Sequence, residues 1–245
     1  MSTNGFHAYR GAWSTESFLS LLDRSLHGEL WDIGRVVDHR AGDPLAEQGA
    51  APDSVAIVLS GFVKTVRTAR RASRPMVLAV SGPGELLDVE AHWTKGVRHA
   101  GHVFSMDGKA FVVEGADFGK FAESPAARSA LLDVLARRVV LRDASLSFAT
   151  HNVRTRLLAF LARMEALYGR RTPLGVQVDI GLNCCDLAAA IGASTPAVTK
   201  ALKELKVEGV LTVHPKRVVI RQNLKGVLDR SCEADAKVAL EERQE

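Results

Sequence analysis

The sequence predicts an α+β chain in three parts: an antiparallel β domain, one long helix, and a helical domain closed by a β-hairpin. Three observations carry that expectation. Between Val36 and Val113 the apolar residues come in short runs punctuated by glycine and proline, the texture of short strands and tight turns. After Ser124-Pro125 the apolar spacing changes to threes and fours, as a helix requires. Beyond Asn183, two short helical patterns separated by Gly192 precede a hairpin pattern with a basic tip. The predicted boundaries are residues 1–125 for the β domain with a short N-terminal helix, 126–150 for the long helix, and 151–230 for the C-terminal domain. Residues 231–245 read as a charged tail, either a frayed helix or a loose segment.

With 245 residues, 47% hydrophobic and 24% charged, the composition is that of an ordinary globular chain, which excludes a disordered, collagenous or rod-like class. No run approaches the roughly 20 apolar residues that a bilayer span needs. Met1–Ser14 lacks the basic start and apolar core of a secretory signal. A soluble, cytoplasmic chain with no membrane partner is expected. The three cysteines, Cys184, Cys185 and Cys232, show no zinc spacing, and a vicinal pair does not easily close a disulfide. Small buried thiols and no metal site are expected. The net charge of +4 is unevenly spread: residues 1–150 carry 17 basic and 17 acidic residues, 151–230 carry 13 against 6, and 231–245 carry 2 against 5. A basic C-terminal domain attracts polyanions.

Residues 15–26 read as one short amphipathic helix with Phe18, Leu19, Leu22 and Leu26 on one side. Strands follow at Val55–Ser60, Phe62–Val66, Met76–Val80 and Phe111–Val113, with Gly42, Gly49, Gly61 and Gly84 placed for tight turns. In the long helix Leu132, Leu135, Val139, Leu146, Ala149 and Val153 follow a 3–4 spacing that only Arg142 interrupts. So narrow a stripe suits a seam between two copies better than a wide core-facing side. Leu132, Leu135, Val139, Leu146 and Ala149 are therefore the candidate homodimer residues. Arg154–Tyr168 is a further helix bearing Leu157, Leu158, Leu161 and Met164, stopped at Gly169.

Asn183 is a natural N-cap and Asp186 falls in the first turn that follows. Leu187, Ala188 and Ile191 form one apolar face, and Gly192 ends the helix. Ser194 or Thr195 caps the next helix, with Pro196 in its first turn where no backbone donor is needed. There Val198, Ala201, Leu202 and Leu205 point inward, leaving Thr195, Ala197, Thr199, Lys200 and Lys203 outward. Two helices about a tight glycine turn make a helix-turn-helix, whose second helix enters the DNA major groove. Small residues let it approach, Thr meets bases or a thymine methyl, and Lys reaches guanine or phosphate. Val210–Val213, His214-Pro215-Lys216-Arg217 and Val218–Ile220 then read as a wing with a basic tip set against phosphates. The predicted DNA-facing set is Asn183, Ser194, Thr195, Pro196, Ala197, Thr199, Lys200, Lys203, His214, Lys216 and Arg217.

In its order of parts, and in Arg40–Arg67 and Asp186–Leu205 above all, the chain resembles the Crp/Fnr family of bacterial transcription regulators. That resemblance implies an N-terminal antiparallel β-roll of the cyclic-nucleotide-binding type, a long dimerisation helix and a C-terminal winged helix-turn-helix. It gives Ser194 a phosphate contact and sets Thr195, Pro196 and Lys200 at base-reading positions. Double-stranded DNA, a second copy and RNA polymerase are the partners it implies. The family's nucleotide cassette pairs a Gly-Glu dipeptide for the ribose with Arg and a following Ser or Thr for the cyclic phosphate. Here Gly84-Glu85 belongs to the preceding turn, and Leu87-Asp88 or Asp88-Val89 stands at the expected place. Arg98 is kept, while His99 replaces the hydroxyl residue. Asp88, Arg98 and His99 are thus the candidate effector residues, with cyclic AMP or cyclic GMP disfavoured and no cofactor required.

Iron–sulfur sensing in the family needs N-terminal cysteines, and none precedes Cys184. Haem would draw on His39, His92, His99 and His102, which lack a defined partner. A thiol switch at Cys184-Cys185 would exploit the helix start. No nucleophile motif, phosphate loop or H-x-H metal set is present, so the chain is not expected to be an enzyme. The alternatives to a sequence-specific regulator are a low-specificity architectural DNA binder and a cyclic-nucleotide-sensing module without DNA function.

Overall fold

A computed structural model describes residues 5–69, 74–94 and 96–241. It divides into two compact units, Met1–Val139 and Val140–Glu245, whose boundary falls within the long helix. Among the described residues no helix is long and apolar enough to cross a membrane.

The first unit opens with a 3₁₀ helix at Phe6–Ala12, then α1 at Phe18–Leu21 and α2 at Leu26–Asp32. Strands β1 (Gly34–His39), β2 (Pro44–Ala46), β3 (Ser54–Ser60), β4 (Val63–Arg67), β5 (Met76–Ser81) and β6 (Leu86–Leu87) precede α3 (Val89–Thr94). Strands β7 (Gly101–Phe104) and β8 (Gly108–Glu114), helix α4 (Gly115–Phe121) and helix α5 (Pro125–Ser147) complete it. Two four-stranded antiparallel sheets, β1-β8-β3-β6 and β2-β7-β4-β5, form the predicted β domain. The four turn glycines all hold positive φ. At Gly61 a Cβ would also run into the Asp107 carbonyl, so no other residue fits that turn.

Strand alternation divides the core. Val55, Ile57 and Leu59 of β3 join Phe111 and Val113 of β8 against the helices, packing on Phe6, Phe18, Leu30, Phe118, Leu131 and Val134. Ala56 and Val58 turn the other way and meet Val63, Leu87, Phe104 and Ala110. Phe6 sits edge-on to both Trp31 and Phe111 at 4.9 Å, while Trp31 stacks on Phe111 at 5.0 Å. Phe6 and Phe111 are fully buried and each contributes about 1.5–3 kcal/mol, with Trp31 half-buried beside them.

The single helix expected at 15–26 is instead two short ones. The Asp23 carboxylate accepts from the Ser25 amide at 2.9 Å and its hydroxyl at 2.7 Å, a side-chain turn that competes with helix. The long helix likewise stops early. The Ser145 and Ser147 hydroxyls donate back to the Leu141 and Ala144 carbonyls, and the chain tightens into turns through Phe148 and Ala149. Ala149 is therefore off the helix, and Val153 begins the next one. Leu135 is half-buried and packs on the β-domain core, whereas Leu132, Val139 and Leu146 are exposed at 62%, 56% and 63%.

The second unit continues with α6 (Val153–Tyr168), β9 (Arg170–Thr172), β10 (Gly175–Asp179), α7 (Cys184–Ile191) and α8 (Thr195–Val207). Strands β11 (Leu211–His214) and β12 (Arg217–Ile220) and helix α9 (Leu224–Glu241) follow. Its sheet runs β11-β12-β10-β9. Leu157, Leu158, Leu161 and Met164 of α6 are buried, as their spacing predicts. The expected tail is helical through Glu241, because Asp235 accepts from the Asn152 amide at 3.1 Å and pairs with His151 at 3.0 Å. Residues 242–245 of that tail lie outside the described residues.

His27 is 5% exposed; its Nε2 lies 3.1 Å from the Leu19 carbonyl, with Phe6 and Trp13 edge-on. Burial lowers its pKa from the ordinary value, against the opposing pull of the Leu19 and Leu22 carbonyls. A histidine held neutral in the fold contributes stability that is complete above its unfolded pKa of about 6.5 and is lost as pH falls below it. Urea unfolding of the protein at pH 7.5 and pH 5.5 should show that loss, and His27→Phe should reduce the difference between the two.

Candidate functional site

Asn183 receives the Cys185 and Asp186 amides at 2.8 and 3.0 Å, and Asp186 accepts in return from the Asn183 amide at 3.2 Å. This reciprocal cap satisfies donors that α7 would otherwise leave unpaired. Gly192 closes α7 with φ 63°, and the Ala193 amide returns to the Ala188 carbonyl at 2.9 Å. The Arg156 guanidinium, on α6, donates to the Ile191 and Gly192 carbonyls at 2.9 and 3.2 Å. A cation at a helix C-terminus is favourable, and here it pins the turn between α7 and α8. Nothing in the spacing of Arg156 announced that role.

Ser194 caps α8 by accepting from the Ala197 amide at 3.3 Å, with Pro196 in the first turn. Val198, Ala201, Leu202 and Leu205 are buried, so Pro196, Thr199, Lys200 and Lys203 stand exposed. Thr195 and Ala197 are half-buried. The Thr195 hydroxyl donates to Cys185 Sγ at 3.7 Å and joins the two helices. Thr199 donates to the Thr195 carbonyl at 2.9 Å. Cys185 is exposed, with Cys184 and Cys232 half-exposed, which corrects the expectation of buried thiols.

In the wing His214 pairs with Arg217 across Pro215-Lys216. Lys216 holds φ 62°, the second position of a type II turn after proline, and His214, Lys216 and Arg217 are all exposed. Arg154 and Glu208 form a bidentate pair at 2.6 Å that ties α6 to the end of α8.

In the first unit Asp88 and Arg98 come together, and His99 does not join them. Arg98 Nε donates to Asp88 Oδ2 at 2.9 Å, and His102 Nε2 lies 3.0 Å from Asp88 Oδ1. His102 Nδ1 is 3.1 Å from the Thr65 hydroxyl, across the register pair of β4 and β7. Arg98 also donates to the Ala51 carbonyl, to Asp53 at 3.1 Å and to Ser54 at 3.2 Å. His99 is exposed, in the bend that precedes β7. Burial acts to raise the Asp88 carboxyl, yet the His102 hydrogen bond and the charges of His102 and Arg98 outweigh it and hold it below the usual value. Asp88, shared by the two registers left open, holds φ 66°, in the left-handed region that favours glycine. Val89, which follows it, is 1% exposed. Among the described residues no group of His, Cys, Asp and Glu is arranged to hold a metal ion.

The sequence model for the Crp-like helix-turn-helix domain matches residues 155–226, and that for the cyclic nucleotide-binding domain matches residues 36–124. The chain is 29% identical over 182 residues to the cyclic AMP receptor protein of Thermus thermophilus, covering 74% of this chain and 81% of that one. It is 26% identical over 99 residues to the global nitrogen regulator of Synechococcus elongatus, covering 40% of this chain and less than half, 45%, of that regulator. Among solved structures, FixK2 of Bradyrhizobium japonicum superposes with a TM-score of 0.69 at 17% identity, over 81% of this chain and 97% of that one. At that identity the likeness is one of fold.

Asn183→Ala removes the side-chain acceptor that serves two amides at the start of α7 and should destabilise the protein by about 0.5–2 kcal/mol, read as a lower urea midpoint with an unchanged slope.

Proposed function

This chain belongs to the Crp/Fnr family of transcription regulators, and we infer that it acts as a homodimer that reads a near-palindromic site in double-stranded DNA. The observation that carries this reading is α8. Its buried face is fixed by Val198, Ala201, Leu202 and Leu205, its start is capped by Ser194, and Lys200 and Lys203 are exposed on the outer side. A helix so anchored offers its N-terminal half to the major groove. Ser194 suits a phosphate contact, since its hydroxyl hydrogen is left to donate while the oxygen accepts the Ala197 amide. Lys216 and Arg217 of the wing suit the neighbouring backbone. Asn183 commits its side-chain oxygen to the cap, which leaves its amide nitrogen to face DNA.

One recognition helix reads only a few base pairs, so two copies are needed, with half-sites about 34 Å apart. Leu132, Val139 and Leu146 recur every seven residues and are exposed; a seven-residue apolar repeat on a helix is the seam of a helix pair. The regulator would act in the cytoplasm, where it meets the chromosome and RNA polymerase, by binding and not by catalysis.

Selection from a random double-stranded DNA pool should enrich an inverted repeat; a pool without enrichment would favour the architectural alternative. Lys200→Ala should cost about 1–3 kcal/mol on the selected site and relax one base position. An equal loss on every sequence would make Lys200 a phosphate contact. Affinity should fall steeply with salt, as counterion release requires.

Val139→Glu places like charges across the seam. In sedimentation it should shift the chain to monomer, with loss of binding to the full repeat.

A further inference from the structure

Arg98 is 6% exposed and Asp88 8%, so the two charges meet where water screens them little, and either would be costly to leave unpaired. Every nitrogen of the Arg98 guanidinium has an acceptor from its own chain: Nε the Asp88 carboxylate, Nη1 the Ala51 carbonyl, and Nη2 Asp53 and Ser54. The second Asp88 oxygen meets His102. Asp88 reaches this position only in a left-handed conformation, φ 66°, that residues with a Cβ adopt at a cost. Backbone strain here serves to hold a carboxylate against a buried cation.

A cyclic nucleotide does not fit these residues. An incoming phosphate would meet the Asp88 carboxylate at Arg98, and a ribose would meet the buried side chain of Val89. The segment that carries Asp88, from the end of the preceding turn through β6 into α3, is also tied to α5. Arg138 pairs with Glu90 at 2.6 Å, lies 3.9 Å from Glu85, and donates to the Leu86 carbonyl. The segment 85–90 thus carries the Asp88 contacts to Arg98 and His102 and, on its neighbouring residues, the Arg138 contacts to α5.

We propose that Asp88 is a built-in anionic ligand: its carboxylate occupies Arg98 in place of an external effector, and it holds segment 85–90 and the Arg138 contact of α5 in one arrangement. DNA binding then needs no cyclic nucleotide, a consequence that rests on the DNA-binding reading above.

The test uses the full chain and two variants. Asp88→Gly accepts the same φ without a carboxylate, and Asp88→Asn keeps the shape without the charge. Each is melted, and titrated onto the selected DNA site, with millimolar acetate, inorganic phosphate, cyclic AMP or cyclic GMP against matched chloride. The parent protein should respond to none of them. Asp88→Gly should melt lower and bind DNA about tenfold more weakly as its competent fraction falls. Acetate, or phosphate if the space admits it, should restore both, whereas Asp88→Asn should melt lower and stay unresponsive. If Asp88→Gly does not fold in chloride, its refolding yield in acetate against chloride replaces the melting readout, and a higher yield in acetate is expected. The proposal is overturned if the parent binds a cyclic nucleotide in an Arg98-dependent way, or if Asp88→Gly loses nothing, or if no anion restores what it loses. Should the parent ignore DNA altogether, the functional reading fails, while the melting response to acetate still decides the role of Asp88.

Discussion

Burial of one guanidinium constrains more of the β domain than any apolar contact does. Arg98 lies inside, so the segments around it must supply acceptors: the backbone at Ala51 and Ser54, the carboxylate of Asp53, and Asp88 from a loop well along the chain. Apolar packing tolerates exchange of one side chain for another of similar volume. A buried charge does not, because removing a single partner leaves the other unsolvated. The route of the chain between β6 and β7 follows from this requirement, as does the left-handed residue at Asp88.

The C-terminal unit is held by a different kind of constraint. Its short helices would be marginal alone, and the sequence surrounds them with end contacts: Asn183 and Asp186 at one start, Gly192 and Arg156 at the turn, Ser194 at the next start. These contacts face the ends of helices and leave the outer side of α8 without structural duties beyond those of Thr195 and Thr199. Exposed cations can then serve recognition, because stability has been secured elsewhere.

Legibility in the sequence tracked how local the physics was. The strand at Ser54–Ser60, the caps at Asn183 and Ser194, and the basic hairpin were all visible, since each depends on neighbours within a few residues. The break at Asp23 was missed, because helical spacing in 15–26 masked a side-chain turn. Spacing alone does not say which side of α5 the β domain covers, and Leu135 of the expected seam packs in part against that domain. In the β domain Asp88 and Arg98 were found by position, but His102 and Thr65 were not, as they meet only through the β4–β7 register. His99 was assigned from its place after Arg98 in the cassette the resemblance implies, and it lies exposed in the bend that precedes β7. Past residue 231 a helix was one of the two readings, but charge suggested that it was solvated and frayed, while one acid, Asp235, in fact serves α6.

That last contact matters for anyone shortening or extending the protein. Asp235 supplies an acceptor to the first backbone groups of α6, and Ser231 meets Thr155 one turn further in, at 2.7 Å. The C-terminal helix is therefore a brace and not a spare linker. A truncation that stops short of Asp235 would strip the opening turn of the element on which α7 and α8 rest.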